Sequence, residues 1–583
     1  MRTIQNILYF IIVLCTITSC EDFLIREPLS SLTPSSFFTN ERELSLYANS
    51  FYNVLPSGLS FVSTDEMGEY TSKNISPAFI AGNYSSINEG SWSWSALRNI
   101  NYFLEHSNNP NIAENTRRHY QGIARFFRAY FYYNKVQTYG DVPWYSCTLS
   151  TSDEELLYKK RDKREAVMDS VLLDLNFACQ YINDTKDATA STVTRQVALA
   201  FKSRVCLFEG TYRKYHTQLN LTGTADKWLT EAANAALTAM ESGRYLIYNT
   251  GAPDNDYRTL FTSENPVSTE VMWAIVYNNA LRKWHDITWQ YNSVTFGSRW
   301  GLNKQFINTY LMNDGSRFSD REGFDTIQFV REMKDRDCRL AQTVRSLGYK
   351  RSNGMPAPPN FGYTFTGYHI HKFSLDDSRL DGVTESYNSI PIMRYAEVLL
   401  NYAEAMAERG LMTEEIWGKT IAPLRERANV VSSIPSTADT YLQEVYFPEI
   451  TDKYLLEIRR ERGVELVYEA LRYQDLMRWK KGKLIEMSWK GIYVPEMDLP
   501  MDLDGNGTPD VAFVSIVPET KVPGVIYYII DGKSSRLTEG NKGHVTWRDD
   551  EARKFDYKKY LRPISNNDIV INPNILPQNP GWE

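Results

Sequence analysis

Long segments of helical periodicity, several in consecutive pairs, constrain this chain more than any other feature. Apolar residues recur at helical spacing over residues 117–139, with Ile123, Phe127, Ala129, Phe131 and Val136 among them. The same pattern predicts helices over residues 163–181, 194–215, 226–242, 393–408 and 452–481. Paired helices such as 194–215 and 226–242 bury a continuous core by stacking on their neighbours, without needing one large globule. No strict repeat period is present, so the expectation is an all-α, degenerate helical-repeat scaffold. Between the helices, residues 70–94 and 249–373 are rich in Ser, Asn, Gly and aromatics, with a strand-like run at 270–277. Loops this long in a compact protein carry function or are disordered, and their aromatic content predicts order. Residues 490–546 read as a small β-hairpin insertion, with strands at 511–517 and 525–530.

The first twenty residues are set apart from this fold. Arg2 precedes an eight-residue apolar run at 7–14, too short to span a bilayer and suited to a secretory leader. Ile17-Thr18-Ser19-Cys20 then resembles a bacterial lipobox, which implies cleavage after residue 19 and lipidation of Cys20; Glu21-Asp22 resembles a surface-export signal. A single acyl chain holds a membrane only marginally, so anchoring needs the several chains that lipoproteins carry. No later stretch is long and apolar enough to cross a bilayer. The formal charge of -7 makes nucleic acid and anionic lipid poor partners. Cys147, Cys179, Cys206 and Cys338 lack any C-x-x-C spacing; 179 and 206 read as buried apolar residues, and a disulfide stays open.

Five blocks, in order, resemble the SusD/RagB family. They are Arg125-Phe126-Phe127-Arg128-Ala129 with Tyr139-Gly140-Asp141-Val142-Pro143; Arg394-Tyr395-Ala396-Glu397 through Ala405; Glu461-Arg462 through Trp479; Tyr560 through Ile564; and Asn579-Pro580-Gly581-Trp582. The resemblance implies one domain over 20–583, divided near residue 245, built on four tetratricopeptide-like helix pairs in a right-handed superhelix. It also implies an outer-membrane lipoprotein on the cell surface. Such a protein captures oligosaccharides and hands them to a SusC-like TonB-dependent transporter, over which it closes as a hinged lid. A surface glycoside hydrolase and an adhesin or peptide-binding scaffold are the alternatives. Glu461, Glu465 and Glu469 fall at i, i+4 and i+8. Like charges at that spacing repel, so the row needs cations; Arg394, Arg462 and Arg472 are the candidates for a scaffold ion network.

Sugar recognition rests on flat aromatic faces with hydrogen-bonding groups beside them. Trp92 in Gly-Ser-Trp-Ser-Trp-Ser is the first candidate, with Trp94 assigned to the following helix. Trp284, Trp289, Tyr291 and Trp300 form a second cluster, and Asp65, Asn83 and Arg299 are polar partners for both. Asp502, Asp504, Asn506, Thr508 and Asp510 follow the first half of an EF-hand loop, but Phe513 stands where the bidentate Glu belongs. The spacing points to a structural calcium or to a metal-free Asp/Asn/Gly turn. His369 and His371, on an expected strand surface, lack a third ligand. No catalytic motif for hydrolysis or phosphate binding is present.

Overall fold

The structure, a computed structural model, describes residues 37–295 and 297–583. The expected leader and Cys20 lie outside the described residues. The helices that organise the rest are α1 (Glu41–Asn49), α2 (Ser95–His106), α3 (Glu114–Tyr139), α4 (Arg164–Tyr181), α5 (Arg195–Tyr215), α6 (Ala225–Glu241), α7 (Tyr395–Glu408), α8 (Glu414–Arg427), α9 (Lys453–Glu465) and α10 (Arg472–Arg478). Consecutive helices pair: α3 with α4, α5 with α6, α7 with α8, while α4–α5 and α6–α7 contacts join pair to pair. Tyr47 of α1 stacks on Tyr102 of α2 and tilts against Phe103. The result is a helical, tetratricopeptide-like scaffold. Small residues set the closest approach. Ala232, Ala233, Ala236 and Ala239 are buried on α6, and a Cβ on Gly210 of α5 would lie 2.8 Å from Leu229. Thr194 and Asp452 cap α5 and α9 by accepting from Val197 N and Leu455 N, about 1 kcal/mol each.

The helix expected over 452–481 is broken. After Glu465 the chain turns, with Tyr468 and Ala470 both in left-handed backbone at φ 61°. Each such non-glycine residue costs about 1–3 kcal/mol. The backbone groups freed by the break are taken up by buried side chains. Tyr257 Oη donates to the Glu465 carbonyl and Lys372 Nζ to the Val467 carbonyl. Tyr468 N donates to Tyr70 Oη, and Ala470 N to Asp65 Oδ2. The helical spacing of the side chains runs through this point, so only these long-range contacts reveal the break.

The chain is not all-α. Among the described residues nine short strands form four small sheets. β1 (Thr71–Ser72) pairs with β3 (Gly301–Leu302), and β2 (Val271–Ile275) with β4 (Ile390–Arg394), both antiparallel. The expected hairpin of 511–517 with 525–530 is corrected: β6 (Val511–Val514) and β7 (Ile526–Ile529) run parallel, with residues 515–525 crossing back between them. A hairpin does occur nearby. β8 (Ser535–Leu537) and β9 (Gly543–Trp547) are antiparallel, and β5 (Lys490–Val494) adds to β9 as a third strand.

The acidic row is a buried ion network; of the three expected cations Arg394 joins it, while Arg462 and Arg472 pair elsewhere. Arg394 binds Glu270, Glu465 and Glu469. Arg427 binds Glu270 and Glu465; Arg339 bridges Glu461 and Glu465; Arg425 holds Glu457 and Glu461; Lys372 reaches Glu469. Arg462 instead pairs with Asp475, and Arg472 with Glu69. The break after α9 explains the change, because it swings residue 472 away from the row. Removing one member of such a network strands a buried charge.

Candidate functional site

The β1–β3 pairing ties the loop after Ser72 to the segment before Gly301, so both aromatic-rich regions are anchored to one short ladder. From the first region, Trp92 and Trp94 enter a cavity of about 400 Å³. Their indoles meet edge to face at 5.3 Å, and Trp92 also meets the Tyr139 ring at 4.9 Å. Tyr145 stands edge-on to Trp94 at 5.5 Å, and Pro143, Leu149 and Ile571 complete the apolar wall. Arg98, Asp568 and Asn572 supply polar groups. Asn101 Nδ2 donates to the Tyr145 and Cys147 carbonyls, 3.0 Å each, which fixes the far wall.

The approach to Trp92 is held just as firmly. Glu89 is buried and accepts from Tyr84, Tyr139 and the Gly90 and Ser91 N–H groups. Burial pushes this carboxyl up, yet the hydrogen bonds from Ser91, Tyr84 and Tyr139 outweigh it and lower the pKa to about 2. Beneath the indoles, Lys135 Nζ lies 5.3 Å from the Trp94 ring centroid and donates to the Ser91 carbonyl. Its burial lowers the amine to about 8, with Glu89 and Asp568 opposing that shift. Trp94 is the N-cap residue of α2, as expected, and also walls the cavity.

The second cluster does not join this cavity, whose lining includes no residue from 284–300. Tyr291 and Trp300 are core residues, 3% and 4% exposed, and Trp300 stacks on Tyr468 at 6.2 Å. Neither can offer a face to a ligand, which corrects their assignment. Trp284 is half-exposed, its Nε1 donating to Asn279 Oδ1, and Trp289 sits half-exposed on the short helix Ile287–Asn292. Arg299 is committed elsewhere: its guanidinium lies 4.0 Å over Phe365 and donates to the Phe361 carbonyl. Asp65 is fully buried, holding Ala470 N, so it is corrected from binding partner to structural residue. Asn83 is exposed on its loop. Sequence reasoning missed Tyr145, Asp568 and Ile571. Tyr145 follows the Val142-Pro143 block and was within reach of motif reasoning, whereas residues 568 and 571 are brought in only by the fold.

Asp502, Asp504 and Asp510 bring carboxylate oxygens within 4.8 Å of one another. Asp502 accepts from the N–H groups of Asp504, Gly505 and Gly507, wrapping the loop around it. Asp510 is raised above its ordinary value by burial and by its two acidic neighbours. This donor set suits a hard, oxygen-seeking cation. Asn506 Oδ1 accepts from Thr508 N, and Thr508 is exposed. His369 and His371 are buried rather than on a sheet surface. Their Nε2 atoms meet the Tyr291 and Ala341 carbonyls, and burial holds both well below the ordinary imidazole range. Cys147, Cys179, Cys206 and Cys338 are all free thiols.

Residues 269–582 match the model described as "SusD family". The chain belongs to the SusD family. Residues 66–207 of this SusD-family chain also match a model described as "Starch-binding associating with outer membrane". Among its relatives, SusD-like protein P2 of Formosa agariphila is 23% identical over 505 residues, 81% of this chain and 90% of the relative. SusD-like protein P38 of the same organism is 23% identical over 525 residues, covering 82% and 93%. A SusD-like carbohydrate-binding protein from Bacteroides fragilis superposes with a TM-score of 0.68 at 20% identity, covering 93% of this chain and 100% of that one. Surface glycan-binding protein A from Bacteroides fluxus gives 0.56 at 16% identity, covering 92% and 99%.

In this SusD-family chain the shared blocks act in packing. Arg128 makes a two-pronged contact with Asp174 at 2.7 and 2.8 Å, locking α3 to α4. Gly140 ends α3 at φ 74°, where a side chain would strike Leu561, and Asp141 then accepts from Arg164 N at the start of α4. Asn579 Nδ2 donates to the Tyr139 and Arg562 carbonyls, so the last block closes onto the first.

Proposed function

We propose that this protein captures oligosaccharides at the cell surface and passes them to a SusC-like TonB-dependent barrel in the outer membrane. Cys20 would carry the lipid anchor. The observation that carries the capture reading is the Trp92–Trp94–Tyr145 cavity. It offers flat aromatic walls for the C–H faces of sugar rings, with Arg98 and Asp568 placed to read hydroxyls. The carbohydrate-binding and glycan-binding proteins of like fold support the reading. Binding rather than hydrolysis is favoured because a glycosidase needs two carboxylates flanking the bond, roughly 5–9.5 Å apart. Asp568 is the only carboxylate among the described residues lining this cavity.

Trp92→Ala, compared with the unaltered protein on a glycan array and by affinity electrophoresis, tests the site. The expected result is at least about tenfold weaker retention, from the loss of one stacking face. Unchanged retention across every bound glycan would remove this cavity from the function. We also propose calcium at Asp502, Asp504 and Asp510, pinning the loop that leads into β6; the convergence of three carboxylates supports it.

A further inference from the structure

A second cavity, of about 260 Å³, shares no lining residue with the first. It lies where the 345–363 loops meet the β6–β7 region, and two arginines face it. Arg345 and Arg351 are 5% and 7% exposed. Each commits one nitrogen: Arg345 Nη2 donates to Asn292 Oδ1 and Arg351 Nη2 to Asp381 Oδ1, both at 2.6 Å. Arg345 Nε and Arg351 Nε and Nη1 are buried and have no partner. A buried charged donor without an acceptor is costly, so a guest whose acceptor oxygens meet these nitrogens after a small turn of the two side chains is favoured.

The arginines are held in place before any guest arrives. Arg345 N donates to the His369 carbonyl, and Arg351 N to the Met355 carbonyl. Burial lowers Arg345 to about 10, with Tyr349 opposing that shift, so it stays charged near neutrality. Two acids also line the cavity. Asp381 is occupied by Arg351, and Asp510 turns Oδ2 to the Leu503 N–H. The half-buried Tyr363 ring and the prolines at 356, 358 and 359 add apolar lining. The backbone of Asn360 fixes Tyr363 by accepting from its N–H. A flat ring beside a guanidinium pair suits a sugar that carries a negative group. Guanidinium matches the planar carboxylate and the sulfate alike.

We propose that this cavity is a subsite for an acidic sugar unit, its carboxylate or sulfate ester on Arg345 and Arg351 and its ring against Tyr363. The inference rests on the glycan-capture reading above and names a substrate class for it. Titration calorimetry on the full mature chain would use trigalacturonate, a sulfated galactan trisaccharide and neutral galactotriose. At least one acidic probe should bind about tenfold tighter than the neutral one, as expected of charge-assisted hydrogen bonds. Which acidic probe does so separates carboxylate from sulfate. Arg351→Gln and Arg345→Gln should each abolish that margin, Tyr363→Ala should weaken acidic and neutral binding alike, and added salt should erode the margin. Melting curves accompany all three, and Arg345→Gln keeps the test alive if Arg351→Gln does not fold. Equal binding of all three probes, failure of both acidic probes to bind, or a margin that survives both arginine variants overturns the subsite. The capture reading is judged separately, by Trp92→Ala on the array.

Discussion

Replacing Asp65 by Asn isolates a single buried proton. The carboxyl is 0% exposed, and burial pushes its pKa from 3.8 up to about 7, although the Tyr70 hydroxyl, the Ala470 and Arg472 N–H groups and the Lys372 charge oppose that shift. Because the folded value is the higher one, folding favours the protonated acid. Its stabilisation is complete below 3.8 and is lost as the pH rises through 7. A gap of about 3 pKa units corresponds to about 4 kcal/mol, of which about 3 kcal/mol is lost between pH 5 and 8. Asn cannot ionise, so the unfolding free energy of Asp65→Asn relative to the parent should rise by about 3 kcal/mol over that interval. Any fixed cost of placing an amide where Asp65 Oδ1 has no partner is the same at every pH and cancels from the comparison. Urea unfolding followed by tryptophan fluorescence at pH 5, 6, 7 and 8 measures it. Parallel stability curves for the two proteins would refute the claim that this carboxyl is forced to ionise inside the core.

Glu465→Ala should destabilise the protein by about 3–5 kcal/mol, since Arg339, Arg394 and Arg427 lose a shared buried partner; thermal unfolding measures it, and a loss below 1 kcal/mol would show the network to be redundant. Chelation of calcium should lower the melting temperature of the parent protein and leave that of Asp502→Ala unmoved, as read by calorimetry with and without added calcium. Trp300→Ala should cost about 3–5 kcal/mol of stability as a core truncation, whereas the less buried Trp289→Ala should cost clearly less, both read by thermal unfolding.

The paired helices were legible because their apolar spacing is long and regular: the ends of α3 to α7 fall within a few residues of the expected positions. What the spacing could not show was anything decided across long sequence distances. The break at 466–471 is held by residues 65, 70, 257 and 372, and the parallel β6–β7 pairing depends on a crossover that local strand signals do not reveal. The site was half legible. Trp92 stood out because an indole among Ser and Gly has no helical stripe to join, and it does wall a cavity. Tyr291 and Trp300 sit in similar surroundings in sequence, yet β3 carries Trp300 inward onto Tyr468. Asp65 looked like a loop acid because its true partner, the Ala470 N–H, lies some four hundred residues away. Arg345 and Arg351 carried no signal at all, since an arginine's unmatched donors are visible only once its neighbours are placed.

Asp568 and Ile571 border the Trp92 cavity, and Asn579 fastens the tail that carries them onto the end of α3. A chain cut after residue 560 keeps both indoles in its sequence but lacks Asp568, Ile571 and Asn572, the outer lip of the hollow. On the proposed capture reading, such clipping would cost glycan retention without touching either indole.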